Sequence, residues 1–139
     1  PKVRLTGSGG NNDVASLCEK IIYVGLQSPQ KFVKKCDYVT SAGHLTGGNA
    51  RKEAGLLGQG PVGVVTSAGV YDFDPVTKRM RIKTLHPGVS PELAQLASGF
   101  ELVRPEGTIP VTQLPSKEII EILRHEVDPQ GFFISMPGA

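Results

Sequence analysis

Apolar positions along the chain fall into short runs separated by glycine, proline and polar residues, and the spacing predicts short strands mixed with helices. Lys20-Ile21-Ile22-Tyr23-Val24-Gly25 and Val62-Gly63-Val64-Val65-Thr66 are nearly continuous runs rich in β-branched residues, the pattern of interior strands. Asp37-Tyr38-Val39-Thr40 reads as a further strand ending at Ser41-Ala42-Gly43-His44. Val70-Tyr71-Asp72-Phe73-Asp74 alternates apolar with acidic residues, and Met80-Arg81-Ile82-Lys83-Thr84-Leu85 alternates apolar with basic ones. The proline-initiated turn Pro75–Arg79 joins them as a hairpin, with Asp72 and Asp74 facing Arg81 and Lys83 on the wet face.

Three segments carry helix signals. Asp13 to Glu19 is a short helix capped by Asn11 or Asn12. Ser90-Pro91-Glu92-Leu93 places a serine cap ahead of proline at the first helical position, and Gly99 ends that helix. A short extended piece follows at Glu101-Leu102-Val103. Ser116 caps a last helix whose Ile119, Ile120, Ile122, Leu123 and Val127 form an apolar stripe, stopped by Asp128-Pro129-Gln130-Gly131. The sum is an α/β layered domain with a largely parallel sheet and an appended β-hairpin.

Two glycine-rich loops are the candidate chemistry. Gly7-Ser8-Gly9-Gly10-Asn11-Asn12 stands just ahead of the first helix, where glycine lets backbone N–H groups approach a ligand and the helix adds the positive end of its dipole. A phosphate, a carboxylate or a developing oxyanion suits such a cradle; a plain capped turn is the simpler use of the same residues. The second loop runs from Thr46-Gly47-Gly48 through Gly55 and Gly58 to Gly60-Pro61, and its length suggests a lid or binding segment. His44 just before it is a substrate-contact candidate. Arg51 and Lys52 within it could meet an anion, though solvated surface is the plainer reading. His86 shapes the turn after the hairpin, and His125 is a surface residue beside Arg124 and Glu126.

Composition narrows the classes. At 139 residues the chain suits one domain, and a formal charge of +2 with basic residues scattered in pairs gives no basis for nucleic-acid binding. No apolar run is long enough to span a bilayer and the first residues lack a signal peptide's apolar core, so the expected location is the cytoplasm. Cys18 and Cys36 have neither metal-ligand nor redox-pair spacing and read as reduced core thiols; no histidine pair has metal-ligand spacing. The chain opens on Pro1 with a strand, Lys2 to Thr6, barely begun before the glycine loop, which suggests that an N-terminal portion lies outside these 139 residues.

The motifs form an ordered series. Gly7-Ser8-Gly9-Gly10-Asn11-Asn12, Lys31 to Ser41, the glycine loop to Leu56, Phe73-Asp74-Pro75 to Arg81, His86-Pro87-Gly88-Val89-Ser90-Pro91-Glu92 and Gly99-Phe100-Glu101-Leu102 together resemble the C-terminal half of B subunits of the glutaconate type in the family I CoA-transferases. The closing Glu126-Val127-Asp128-Pro129 and Phe133-Ile134 continue the likeness, so the resemblance covers essentially residues 1–139.

The resemblance implies an open three-layer α/β/α sheet of the CoA-transferase type, with residues 1–139 the C-terminal part of a B-subunit domain. It also implies partnership with an A subunit and with the N-terminal part of the B subunit. The substrates it implies are an acyl-CoA, dicarboxylic as in glutaconyl-CoA, and a carboxylic acid, with no permanently bound cofactor, no metal, no nucleic acid and no membrane. A glutamate attacks the thioester and passes through a glutamyl-CoA intermediate. That glutamate sits upstream of the glycine loop in the family, outside this chain. The similar string Glu53-Ala54-Gly55-Leu56 follows a polar loop, so Glu53 reads as a solvated carboxylate. Gly7, Ser8, Gly9, Gly10 and Asn11 match the family's oxyanion and CoA loop, and His44, Gly47, Gly48 and Arg51 are substrate-loop candidates. Two alternatives share the scaffold: an acyl-CoA hydrolase or decarboxylase, and a non-catalytic module that holds a phosphate ligand. Without its partners the chain is expected to expose a sheet edge and an apolar face.

Overall fold

The structure, a computed structural model, describes residues 7–133. Its elements are α1 (Gly9–Leu17), β1 (Lys20–Gly25), α2 (Ala50–Glu53), β2 (Gly60–Thr66), β3 (Gly69–Phe73), β4 (Met80–Leu85), α3 (Pro91–Leu96) and α4 (Lys117–Ile122), the last running into a π-helical turn over Leu123–Val127. The strands form a sheet in the order β1-β2-β3-β4. The expected strand at Lys2–Thr6 and the close of the likeness at Ile134 lie outside the described residues.

Sheet direction corrects one expectation. Only β1 and β2 run parallel, while β2–β3 and β3–β4 are antiparallel, so the described sheet is mixed and not largely parallel. The reason is local: Ser67 and Ala68 turn the chain straight back after Thr66, so three consecutive strands form a meander. Thr66 fixes that reversal, its Oγ1 accepting from the N–H groups of both Ala68 and Gly69 at 3.1 Å. Beyond β4, Val103 and Val111 bridge in parallel to Arg81 and Leu85, through Val103 N–H to the Met80 carbonyl (3.0 Å) and Thr112 N–H to the Leu85 carbonyl (2.7 Å). The outer edge of β4 is therefore occupied by an irregular strap.

The hairpin forms with Phe73 opposite Met80 and Asp72 opposite Arg81. Arg81 holds Asp72 with two bonds of 2.8 and 2.9 Å, the expected cross-strand pair. The second pair does not form. The register shifts between Val70 and Tyr71 so that Tyr71 faces Ile82 and Val70 faces Thr84, leaving Lys83 unmatched, and Asp74 turns to cap the hairpin loop.

One face of this meander makes the core. Val64, Tyr71, Met80 and Ile82 alternate inward, the bulge at Lys83 brings Leu85 onto the same face, and they meet Ala94 of α3 and Leu102 of the strap, with Tyr71 and Ile82 essentially inaccessible. α3 starts where the Ser-Pro signal places it: the Ser90 hydroxyl accepts from Leu93 N–H at 3.2 Å, and Pro91 is the first helical residue. Ser116 caps α4 in the same way through Ile119 N–H at 3.3 Å.

The other elements depart from expectation in their exposure. β1 has the predicted bounds but is not interior: Ile22, Tyr23 and Val24 are 64%, 55% and 73% exposed, and Val14, Leu17 and Leu26 beside it are also exposed. The expected strand at Asp37–Thr40 is an irregular segment that pairs with no described strand, and its Tyr38 bonds Ser8 at 2.7 Å. The stripe on α4 is present, but Ile119, Ile122 and Val127 are exposed. Cys18 and Cys36 are free and exposed, not core thiols: Cys18 caps the C-terminal end of α1 and Cys36 lies in the irregular segment.

Candidate functional site

The first glycine loop is part of a helix. α1 starts at Gly9, four residues before the predicted Asp13, with Ser8 in helical geometry and making no side-chain cap bond. Asn11 and Asn12 therefore lie in its first turn and are not caps. The first N–H used by the helix is that of Asn12, which donates to the Ser8 carbonyl at 3.2 Å. The N–H groups of Gly9, Gly10 and Asn11 are left out of the ladder, at the positive end of the helix dipole. No acidic side chain occupies the first turn, and a Cβ at Gly7, Gly9 or Gly10 would meet nothing within 4 Å. These glycines thus leave open space in front of three N–H groups that have no acceptor among the described residues.

The second glycine loop does different work. It contains the single turn α2, and Gly47 (φ 92°) and Gly48 (φ 54°) press against the tip of the β3–β4 hairpin. Gly48 N–H donates to the Thr77 carbonyl at 3.3 Å, and a Cβ on Gly47 would collide with that same oxygen. The hairpin tip is itself rigid. Asp74 Oδ1 accepts from Val76 N–H (3.1 Å), Thr77 N–H (2.7 Å) and the Thr77 hydroxyl (2.8 Å), and these bonds, with a smaller contribution from Arg81, lower its pKa.

Arg51 departs most from its sequence reading. It is 6% exposed, not solvated, and lies beneath α2 with no carboxylate partner among the described residues. Its guanidinium donates to backbone carbonyls of Gly43 (3.0 Å), Ala15 (3.2 Å) and Leu57 (2.6 Å), and its Nε has no acceptor among the described residues. Ala15 belongs to the last turn of α1, where carbonyls lack helix partners and the dipole is negative, so Arg51 caps α1 with a charge of the favourable sign.

His44 is half-buried against Phe73, ring centroids 4.7 Å apart, and its Nε2 donates to the Pro61 carbonyl at 2.8 Å. That bond places the neutral ring's proton on Nε2. Burial pushes the His44 pKa below its ordinary value; the Pro61 bond opposes this, and the charges of Lys78 and Arg51 reinforce it. Glu53 ends α2 with its carboxylate exposed, as a solvated residue should.

The nine predicted site residues therefore occupy two places. Gly7, Ser8, Gly9, Gly10 and Asn11 lie at the N-terminal end of α1, whereas His44, Gly47, Gly48 and Arg51 gather around α2 and the hairpin tip. Arg51 ties the second group to the C-terminal end of α1, about 12 Å from the free donors at 1.5 Å per helical residue. Among the described residues no three His, Cys, Asp or Glu side chains approach as a metal site would require.

Sequence reasoning missed two features here. Tyr38, read as a strand residue, joins Ser8 to the segment before His44. Gln27 is unremarkable in sequence, yet it is buried: Oε1 accepts from Thr66 Oγ1 and Tyr71 OH, both at 2.8 Å, and Nε2 donates to Ala94 O and Ser98 Oγ, both at 3.0 Å. Its signal is positional, a lone amide directly after an apolar strand.

A family profile described as Coenzyme A transferase matches residues 1–93, and the chain belongs to that family. Among curated relatives it is similar to the B subunit of the glutaconate CoA-transferase of Acidaminococcus fermentans, 38% identical over 99% of this chain and 51% of the relative. It is also similar to the B subunit of the 3-oxoadipate CoA-transferase of Pseudomonas knackmussii, 34% identical over 89% of this chain and 47% of that one. The crystal structure of the Acidaminococcus fermentans glutaconate coenzyme A-transferase superposes with a TM-score of 0.85 over 99% of this chain and 52% of its own. The α/β fold is thus of the CoA-transferase type, and the chain spans about half the length of the curated relatives it matches.

Proposed function

We propose that this chain is part of the B subunit of a CoA-transferase that moves CoA between carboxylic acids, with a dicarboxylic acyl-CoA of the glutaconyl kind as substrate. The observation that carries the reading is the trio of N–H groups on Gly9, Gly10 and Asn11, without an acceptor among the described residues and at exposed positions, in a chain of this family. In the proposed reaction a glutamate carboxylate contributed from outside these 139 residues attacks the thioester carbonyl. The C–O bond forms, the C–S bond breaks, and CoA thiolate leaves an acyl-glutamyl anhydride. The thiolate then attacks the glutamyl carbonyl, releasing the first carboxylate and leaving a glutamyl-CoA thioester, and a second carboxylate reverses the sequence.

Each step passes through a tetrahedral oxyanion. A carboxylate is a weak nucleophile, so donors already aimed at the developing charge supply much of the rate, worth about 10²–10³ per donor in acyl transfer generally. Gly7 and Ser8 shape the approach, and the dipole of α1 adds to the donors. Partners in this reading are an A subunit and the N-terminal part of the B subunit, and the exposed apolar face of β1 supports such partnership. Two exposed free thiols suit a reducing compartment, hence the cytoplasm. Among the described residues no helix is long and apolar enough to cross a membrane.

The test is intact mass spectrometry of the natively purified assembly, with and without acyl-CoA followed by borohydride. A CoA-dependent mass gain on a glutamate-bearing segment, converted by borohydride to the reduced side chain, is the expected result. An assembly that turns over acyl-CoA with no such adduct would favour hydrolysis or decarboxylation on the same scaffold, and one that binds but never turns over would favour a non-catalytic phosphate-binding module.

A further inference from the structure

A cleft of about 250 Å³ opens between α2 and the tip of the β3–β4 hairpin, with Asn49, Lys52, Gln59 and Lys78 among its lining side chains. No carboxylate of the described residues lines it, and neither Lys52 nor Lys78 has an ion-pair partner among them. Outside the lining, Glu19 accepts from Gln59 Nε2 at 3.0 Å and so occupies that amide, and Asp72, in the adjoining hollow, is held by Arg81. Arg51 also lines the cleft, its buried charge answered only by neutral carbonyls. A wider cleft near the strap, about 930 Å³, differs: its Arg79 and Arg104 pair with Glu101 at 2.8 Å and Glu92 at 3.1 Å, and of its cations Lys34 alone has no ion-pair partner among the described residues.

The φ of Lys78 is +60°, a left-handed conformation that glycine adopts freely and a lysine does not. Leu45 shares this conformation, so the φ itself does not mark a site; it fixes where the Lys78 side chain leaves the hairpin tip, which is clamped on the glycine loop through Thr77 and Gly48. We propose that this cleft binds a phosphate group, held by the ammonium groups of Lys52 and Lys78 and the side-chain amide of Asn49 within the field of Arg51. The phosphate site stands on this geometry alone; its assignment to the phosphate end of CoA rests on the CoA-transferase reading. With that reading, α1 spaces the two ends of one ligand, with phosphates at its Arg51-capped end and the thioester at its free N–H groups. The pantetheine arm of CoA is long enough to join them.

The test uses the native assembly with pyrophosphate and CoA as probes, titrated calorimetrically at two salt concentrations. Lys78→Gly relieves the strained φ, so its melting temperature stays level or rises, while affinity for both probes falls about tenfold, as loss of a charge-assisted bond requires. Lys52→Ala acts in the same direction, and Lys83→Ala, in the exposed bulge of β4, changes nothing. CoA and pyrophosphate compete. Unchanged affinity for both probes in Lys78→Gly and Lys52→Ala, or no binding of either probe to the unaltered assembly, overturns the phosphate site. Lysine-dependent pyrophosphate binding that CoA does not displace supports the site and removes CoA as its ligand, whereas CoA binding that ignores both lysines leaves the CoA-transferase reading intact and removes the site.

Discussion

The β2–β3–β4 meander with α3 and the α1–β1 side of the molecule are equally apolar in sequence, yet one is sealed and the other is bare. In the meander, alternation puts Tyr71, Met80 and Ile82 on a single face, the bulge at Lys83 brings Leu85 onto it, and α3 with the Leu102 strap lies over it within the same stretch of chain. In β1 the apolar residues run without alternation, and among the described residues nothing lies over Ile22 or Val24. Such a run announces a strand meant to be covered on both sides, not that the cover comes from nearby. The first region is covered by its own stretch of chain; the second stands uncovered among the described residues.

That contrast can be broken by mutation. Ile82→Ala removes a fully buried side chain and costs roughly 2–5 kcal/mol in urea denaturation, whereas Val24→Ala in the isolated chain stays within about 0.5 kcal/mol. Equal losses at the two positions would mean that β1 is covered after all. Gln27→Leu strands Tyr71 OH inside the sealed half, while Thr66 Oγ1 keeps the Gly69 carbonyl as acceptor, and lowers stability by roughly 1–3 kcal/mol; a neutral result would show the network to be dispensable.

Arg51→Met probes the seam between the regions. The carbonyls of Ala15, Gly43 and Leu57 lose their donor, and the expected cost is roughly 1–3 kcal/mol, with faster amide exchange in α1 than in β3. Uniform exchange across both elements would contradict a local role.

The smallest effects are in pH. His44 has a folded pKa below its ordinary 6.5, so the unfolded chain binds the proton more readily. Its contribution is complete above 6.5 and is lost as pH falls through the folded value, and His44→Asn should flatten that part of the stability profile. Asp74, lowered from 3.8, behaves with the same sign further into acid: its contribution holds above 3.8, fades as pH drops through the folded value, and vanishes in Asp74→Ala.

Much of this is legible in the sequence for identifiable reasons. β4 has the bounds that alternation gives, and the serine caps of α3 and α4 stand where the sequence signals place them because capping is decided within four residues. What escapes is set by tertiary partners. Asp37–Thr40 has strand-like residues but pairs with no described strand, and Arg51 resembles surface because charge and neighbours do not reveal that the carbonyls of Gly43, Ala15 and Leu57 meet beneath α2. The site is legible as two glycine loops, and their order along the chain carries the family. That one loop leaves donors free at a helix end while the other grips a hairpin depends on φ values and close approaches, which no composition encodes.

The strap on β4 has a consequence best put in the terms of polymer chemistry. With Val103 and Val111–Thr112 bonded to one side of the sheet, and Pro105 and Pro110 lacking N–H groups along that strap, β1 is the only described strand with a free edge. The described sheet is thus a monofunctional monomer: it can couple once, edge to edge, and the product has no second end from which to propagate. Among the described residues, growth by strand addition is therefore confined to that one edge.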